Sequence, residues 1–195
     1  MPSPASLPAP QPRRPIHTRR IAFEGFLRDD GLWDIDCELV DTKSEEIQMH
    51  ERGTLPAGEP VHQMRIRVTL DDGLTIRDIQ TVTQAAQFGE CQNAVEAPMR
   101  KLVGLTMGPG WRKAIEGAIG GAAGCTHLRE LIFNAATAAF QTIPGYKARK
   151  ALAPGQQIVF QKPPFFMGQC MAWAFDGPVV QRVAPQFYRG LKKSD

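Results

Sequence analysis

The sequence predicts an α+β fold, an antiparallel β-meander followed by helices packed on one of its faces. Two observations carry this expectation. Segments with alternating apolar and polar residues flank two Asp-Asp-Gly turns in the first half. In the second half the apolar period lengthens to that of helices, punctuated by Pro and Gly. With 195 residues, of which 43% are apolar and 22% charged, the chain has ordinary globular composition and material for a buried core.

The first fifteen residues hold six prolines, at positions 2, 4, 8, 10, 12 and 15. Proline lacks an amide donor and resists helix, so residues 1–20 are expected to form a flexible Pro/Arg-rich arm ahead of a single α+β domain over 21–195. The arm carries Arg13, Arg14, Arg19 and Arg20 without an acid. It contributes +4 and residues 189–195 contribute +2 to a net charge of +3, which leaves −3 on the body. A basic body face is what nucleic-acid binding needs, so no nucleic-acid partner is expected. No run of eighteen uncharged apolar residues exists to cross a bilayer, so no membrane association is expected either. Arg13-Arg14 is followed by Ile21-Ala22-Phe23-Glu24 rather than an apolar export segment, which points to the cytoplasm. There, four cysteines read as free thiols, metal ligands or reactive groups rather than disulfides.

Ile21–Arg28 and Leu32–Val40 are expected to pair across Asp29-Asp30-Gly31, where glycine supplies positive φ. In the second of these, Trp33, Ile35, Cys37 and Leu39 alternate with Asp34, Asp36 and Glu38, giving one apolar and one acidic face. Met64, Ile66, Val68 and Leu70 alternate as strictly ahead of Asp71-Asp72-Gly73-Leu74, and a less regular strand, with room for a bulge, follows to Val82. Asp41–Pro60, rich in charge, Gly and Pro, reads as a long loop. Helices are expected over Pro98–Val103, from Pro109 to Gly120, and over Thr126–Thr142 with Thr126 as cap. Beyond Pro144-Gly145 the chain reads as loop, a short strand over Gln157–Gln161, and an apolar run near Phe165–Phe175.

The cysteines differ in setting. Cys37 is in register with core residues and is expected to be inert. Cys125 follows Gly120, Gly121 and Gly124 and precedes the longest helix, where unpaired amides and the macrodipole favour a thiolate. His127 lies two residues on, so Cys125-Thr126-His127 could turn both groups toward one ion; a helix cap beside a surface histidine is the plainer alternative. Cys91 lies in a turn-like Gly-Glu-Cys stretch and is a loop thiol or a ligand. His62 is a surface residue at a strand start or a ligand. His17 and His50 read as surface, and Cys170 as a packing residue in an apolar segment.

The order of these pieces resembles the iron-sulfur cluster scaffold (NifU-like) proteins: His62 ahead of Arg65–Leu70, then Asp72-Gly73, Ile76-Arg77-Asp78, the Gly89-Glu90-Cys91 turn, helices, and Cys125 opening a long helix. That family holds a cluster or zinc with three cysteines and an aspartate. The resemblance implies ligand positions at His62, Cys91 and Cys125, with His127 as a fourth, while the family aspartate falls on Met64. Over nearly the whole chain, the blocks His17–Ile21, Arg28–Asp34, Leu105–Trp111 and Gly124–Leu128 (Gly-Cys-Thr-His-Leu) resemble a bacterial family of unknown function, whose members are expected to accompany catabolism of aromatic or acyl compounds.

These readings together lead to a small cytoplasmic zinc- or iron-binding protein with His62, Cys91, Cys125 and His127 as ligands. Two alternatives stand beside it. One is a metal-free enzyme with Cys125 as nucleophile and His127 or His62 as base. The other is an accessory subunit whose arm docks a protein partner, a larger catabolic enzyme.

Overall fold

Four strands form one antiparallel sheet in the order β1-β2-β5-β6: β1 (His17–Leu27), β2 (Trp33–Lys43), β5 (Pro60–Leu70) and β6 (Ile76–Ala85). The computed structural model describes residues 7, 9–93, 95–153, 155–156 and 158–190. Within 41–60, expected as a loop, a small hairpin forms from β3 (Ile47–Met49) and β4 (Gly53–Leu55). The helices are α1 (Glu90–Asn93), α2 (Glu96–Arg100), α3 (Trp111–Ile119), α4 (Thr126–Lys150) and α5 (Pro178–Val183). The chain is thus α+β, in two compact units, 1–145 and 146–195.

The first turn forms as its residues dictate. Gly31 takes φ +82°, and the Asp30 carboxylate accepts the Leu32 amide at 3.2 Å. β1 begins four residues earlier than expected, so His17–Arg20, assigned by sequence to the arm, already pair along β2. In the second turn Asp71 accepts the amides of Gly73 and Thr75, and the positive φ falls on Leu74 (+64°) rather than on Gly73. Leu74 is held there because its carbonyl accepts the Met107 amide at 3.0 Å while its side chain is buried. The irregularity expected after this turn is a pair of register shifts between β5 and β6, at Gln63/Met64 and Thr69/Leu70.

Period two sorts the sheet faces. Trp33, Ile35, Cys37, Leu39, Met64, Ile66, Val68 and Leu70 point inward and are buried. On the outer face Arg65 pairs with Glu38 and Arg67 with Asp36. Arg19 and Gly25 of β1 and His62 of β5 share the inward face, and they meet Glu130, Thr142 and His127 of α4. Helix α4 therefore lies across the inward face, with Leu128, Leu131, Ile132, Ala135, Ala139 and Ile143 buried. Gly25 is required for this approach, since a β-carbon there would run into the Thr142 side chain.

Helix α4 continues past Pro144-Gly145, which by sequence marks its end. An internal proline removes one hydrogen bond and crowds the preceding turn, but the helix-favouring residues on both sides resume the ladder. The first expected helix is shorter and shifted, ending at Arg100. In the unit 146–195, residues 158–161 form no strand, and residue 157 lies outside the described residues. Met167, Val180 and Ala184 form the core of this unit, flanked by Phe160, Trp173, Phe175 and Phe187. The short apolar run there is consumed by aromatic packing, Phe166 lying 5.0 Å from Trp173 edge-on, rather than by strand pairing.

Candidate metal centre

Arg19 of β1 pairs with Asp41 of β2, and Asp41 pairs with His62 of β5, so the three form one row across three strands on the inward face. Asp41 continues the alternation of Trp33, Ile35, Cys37 and Leu39. An acid thus occupies a core position, 2% exposed at its side chain. A buried carboxylate needs charge and hydrogen-bond compensation. Arg19 supplies it as a two-pronged fork, Nε to Oδ1 at 2.8 Å and Nη2 to Oδ2 at 2.8 Å. The other Arg19 prong reaches Glu130 of α4 at 2.7 Å. His62 Nδ1 lies 3.1 Å from Asp41 Oδ2, and His17 Nε2 lies 3.3 Å from Oδ1. Burial works to raise the Asp41 pKa, but the hydrogen bonds and charge of Arg19, with those of His62, outweigh it and hold the carboxyl below its ordinary value.

This row sets His62. With Asp41 ionised, Nδ1 is the donor toward it, and Nε2 is left with a lone pair directed away from the carboxylate. Burial lowers the His62 pKa against the opposing pull of Asp41, so the ring is neutral at neutral pH. Its face meets His127 at 4.1 Å between ring centroids, tilted by 35°. Ligand atoms of Asp41, His62 and His127 all lie within 4.8 Å of one another.

His127 is delivered by the start of α4. The Cys125 carbonyl accepts the Arg129 amide at 2.9 Å, so Cys125, rather than Thr126, occupies the cap position. Its sulfur lies 3.9 Å from His127 Nδ1. Burial pushes the Cys125 thiol pKa up, but the hydrogen bond with His127 and the backbone amides of Leu128 and His127 bring it below the ordinary thiol value. Gly124 makes the cap possible, because a β-carbon there would press on the Ile119 carbonyl.

His62, Cys91, Cys125 and His127 line one cavity of about 500 Å³, whose apolar wall includes Met64, Phe88, Val95 and Pro98. Cys91, on α1 and half-buried, and Cys125 are outside the tight Asp41/His62/His127 group. Cys37 is buried, its thiol pKa pushed up to about 12 chiefly by burial. Cys170, expected to pack, is exposed, because the aromatic cluster around it fills the core of its unit without it. His17, expected at the surface of an arm, is instead a strand residue on the far side of Asp41. Sequence reasoning missed Asp41 and Arg19.

A family described as protein of unknown function (DUF2889) matches residues 17–141, well over half of the chain. The chain belongs to this family. No curated protein and no solved structure matches it, and the likeness to iron-sulfur cluster scaffolds gains no support from these comparisons.

Proposed function

We propose that this member of a family without an assigned activity is a metal-binding protein in which His62, Cys91, Cys125 and His127 hold one zinc or iron ion. The observation that carries the reading is convergence: two imidazoles and two thiols from β5, α1 and the start of α4 line one cavity. Asp41 is the outer partner rather than a ligand. Both its oxygens are engaged by Arg19 and the histidines, as a carboxylate that orients a ligating histidine should be. The donor set suits the ion. A tetrahedral metal with bonds of about 2.3 Å to sulfur and 2.0 to 2.1 Å to nitrogen places those atoms roughly 3.6 Å apart. The Cys125–His127 separation of 3.9 Å is close to that value. A bound ion there would supply Lewis-acid polarisation of a carbonyl or water. The chain supplies a neutral His62, a low-pKa Cys125 and an apolar wall of Met64, Phe88, Val95 and Pro98. That wall would suit the aromatic or acyl compounds expected from the family resemblance, and reduced thiols are in keeping with a cytoplasmic protein.

A second reading has its own observation. The Cys125 sulfur beside His127, on free amides of a helix start, is arranged as an activated thiol, and without metal it would be a nucleophile. Alkylation of the Cys170→Ser protein separates the two. Under the metal reading, the replete protein alkylates slowly and chelator exposes Cys91 and Cys125 together. If Cys125 reacts fast and alone and chelator changes nothing, the nucleophile reading replaces the metal one.

A further inference from the structure

Strand β1 ends the four-stranded sheet, and its outer edge is unpaired among the described residues. The hydrogen bonds from the Arg28 amide to the Leu32 carbonyl, and from the Ser44 amide to the Ile16 carbonyl, fix the backbone parity of the β1–β2 pair. Even-numbered residues of β1 direct their N–H and C=O groups toward β2. The odd-numbered residues His17, Arg19, Ile21, Phe23, Gly25 and Leu27 direct theirs away from the sheet. Among the described residues no other backbone segment pairs with them. The edge is eleven residues long, roughly 37 Å, and contains no proline, while its inward-pointing cation Arg19 is taken up by Asp41 and Glu130. Phe26 and Leu27 at its end are about half exposed.

The side chains on this edge are self-complementary. On the outer face Arg65, Arg67 and Arg28 each have an acid, whereas the exposed Arg20 and Glu24 of β1 form no ion pair among the described residues. They stand symmetrically about Ala22, the middle of the strand. A second β1 laid antiparallel with Ala22 opposite Ala22 sets each Arg20 against the Glu24 of the other copy. The same register places Ile21 opposite Phe23, both odd-numbered, so the outward N–H and C=O groups meet each other as the antiparallel ladder requires. The charge pattern and the backbone parity therefore select one register.

We infer that the chain self-associates through β1, two copies joining their four-stranded sheets into one continuous eight-stranded sheet about a two-fold axis at Ala22. The arm is a poor competitor for the edge, since its prolines lack donors. A single strand pair buries less than a standard obligate interface, so the dimer is reversible and concentration-dependent.

Sedimentation velocity of the full chain over a wide concentration range tests this. The wild type should pass from monomer to dimer. Arg20→Glu and Glu24→Arg each create two like-charge contacts by symmetry and should weaken the dimer roughly tenfold, while the double exchange restores it. Independently of those variants, Ala22→Cys places two thiols across a close, non-hydrogen-bonded pair and should give a disulfide-linked dimer under mild oxidant in a background with Cys170→Ser. A wild type that stays monomeric, single reversals that associate like the wild type, or an Ala22→Cys protein that does not cross-link overturns the inference. So does association that appears only after residues 1–12 are removed, which would put the arm on the edge.

Discussion

Asp41→Asn replaces one carboxylate oxygen by an amide nitrogen and removes the negative charge from the centre of the buried row. Asp41 accepts from Arg19 through both oxygens, and from His62 through Oδ2. Asparagine keeps one acceptor oxygen; set where Oδ2 stands it still accepts from Arg19 Nη2 and His62 but turns its NH2 group on the Arg19 Nε donor, and set where Oδ1 stands it keeps Nε and loses both of the others. Loss of a buried charge partner costs about 3 to 5 kcal/mol when the charge left behind is wholly uncompensated. Arg19 is 32% exposed and keeps Glu130 at 2.7 Å, so solvent screening and the remaining partner reduce this to about 2 to 3 kcal/mol. The amide also faces His62 Nδ1 with a donor in one of its two orientations. Freed from its carboxylate, the ring can take the other tautomer and turn the Nε2 lone pair into an N–H, which should weaken metal binding about 10- to 100-fold. Urea unfolding followed by circular dichroism, with chelator present, reads the first quantity; competition with a chromophoric zinc chelator reads the second. Asp41→Asn protein with wild-type stability would refute the account of the buried row. Wild-type zinc affinity would refute the positioning of His62 by Asp41.

Other consequences are as specific. In metal-free protein, the lowered His62 pKa means that the unfolded chain binds the proton more readily. The stability from burying a neutral ring should be present above about pH 6.5 and lost as pH falls from there through the folded value, and His62→Gln should flatten this slope in a pH series of urea titrations. Gly25→Ala should destabilise by roughly 1 to 3 kcal/mol through collision with Thr142, and Thr142→Ala in the same chain should recover most of the loss in thermal melts. Cys37→Ser should cost about 1 to 3 kcal/mol by burying a hydroxyl yet leave metal content unchanged.

The fold was legible where one periodicity ruled. The β5 alternation of Met64, Ile66, Val68 and Leu70 and the apolar stripe of α4 each mark a buried face, and both segments fall within the elements observed, though α4 runs on to Lys150. Reading failed where context outweighed local signals. Pro144-Gly145 looks like a stop but lies within a helix, and the glycines and prolines of 53–60 hide a small hairpin. Asp41 is the instructive case. It stands two residues after Leu39 in the period of inward positions, and its charge led it to be read as the start of a loop. An acid on the buried phase of a strand, with Arg19 in a neighbouring strand and a histidine before the next, was a signal already in the sequence. His62, Cys91, Cys125 and His127 could be named from spacing and resemblance, but their meeting in one cavity depends on how α4 crosses the sheet, which no local pattern encodes.

The proposed centre holds one ion between residues of β5, α1 and the start of α4. Elemental analysis of the protein, purified without chelator or a nickel column from cells supplied with zinc and iron, measures it most directly. The account predicts about one zinc or iron per chain, unchanged in Cys37→Ser and Cys170→Ser and lost in His62→Ala, Cys91→Ser, Cys125→Ser and His127→Ala proteins that remain folded. A wild type free of both metals, or equal metal in the ligand variants and the wild type, would contradict it.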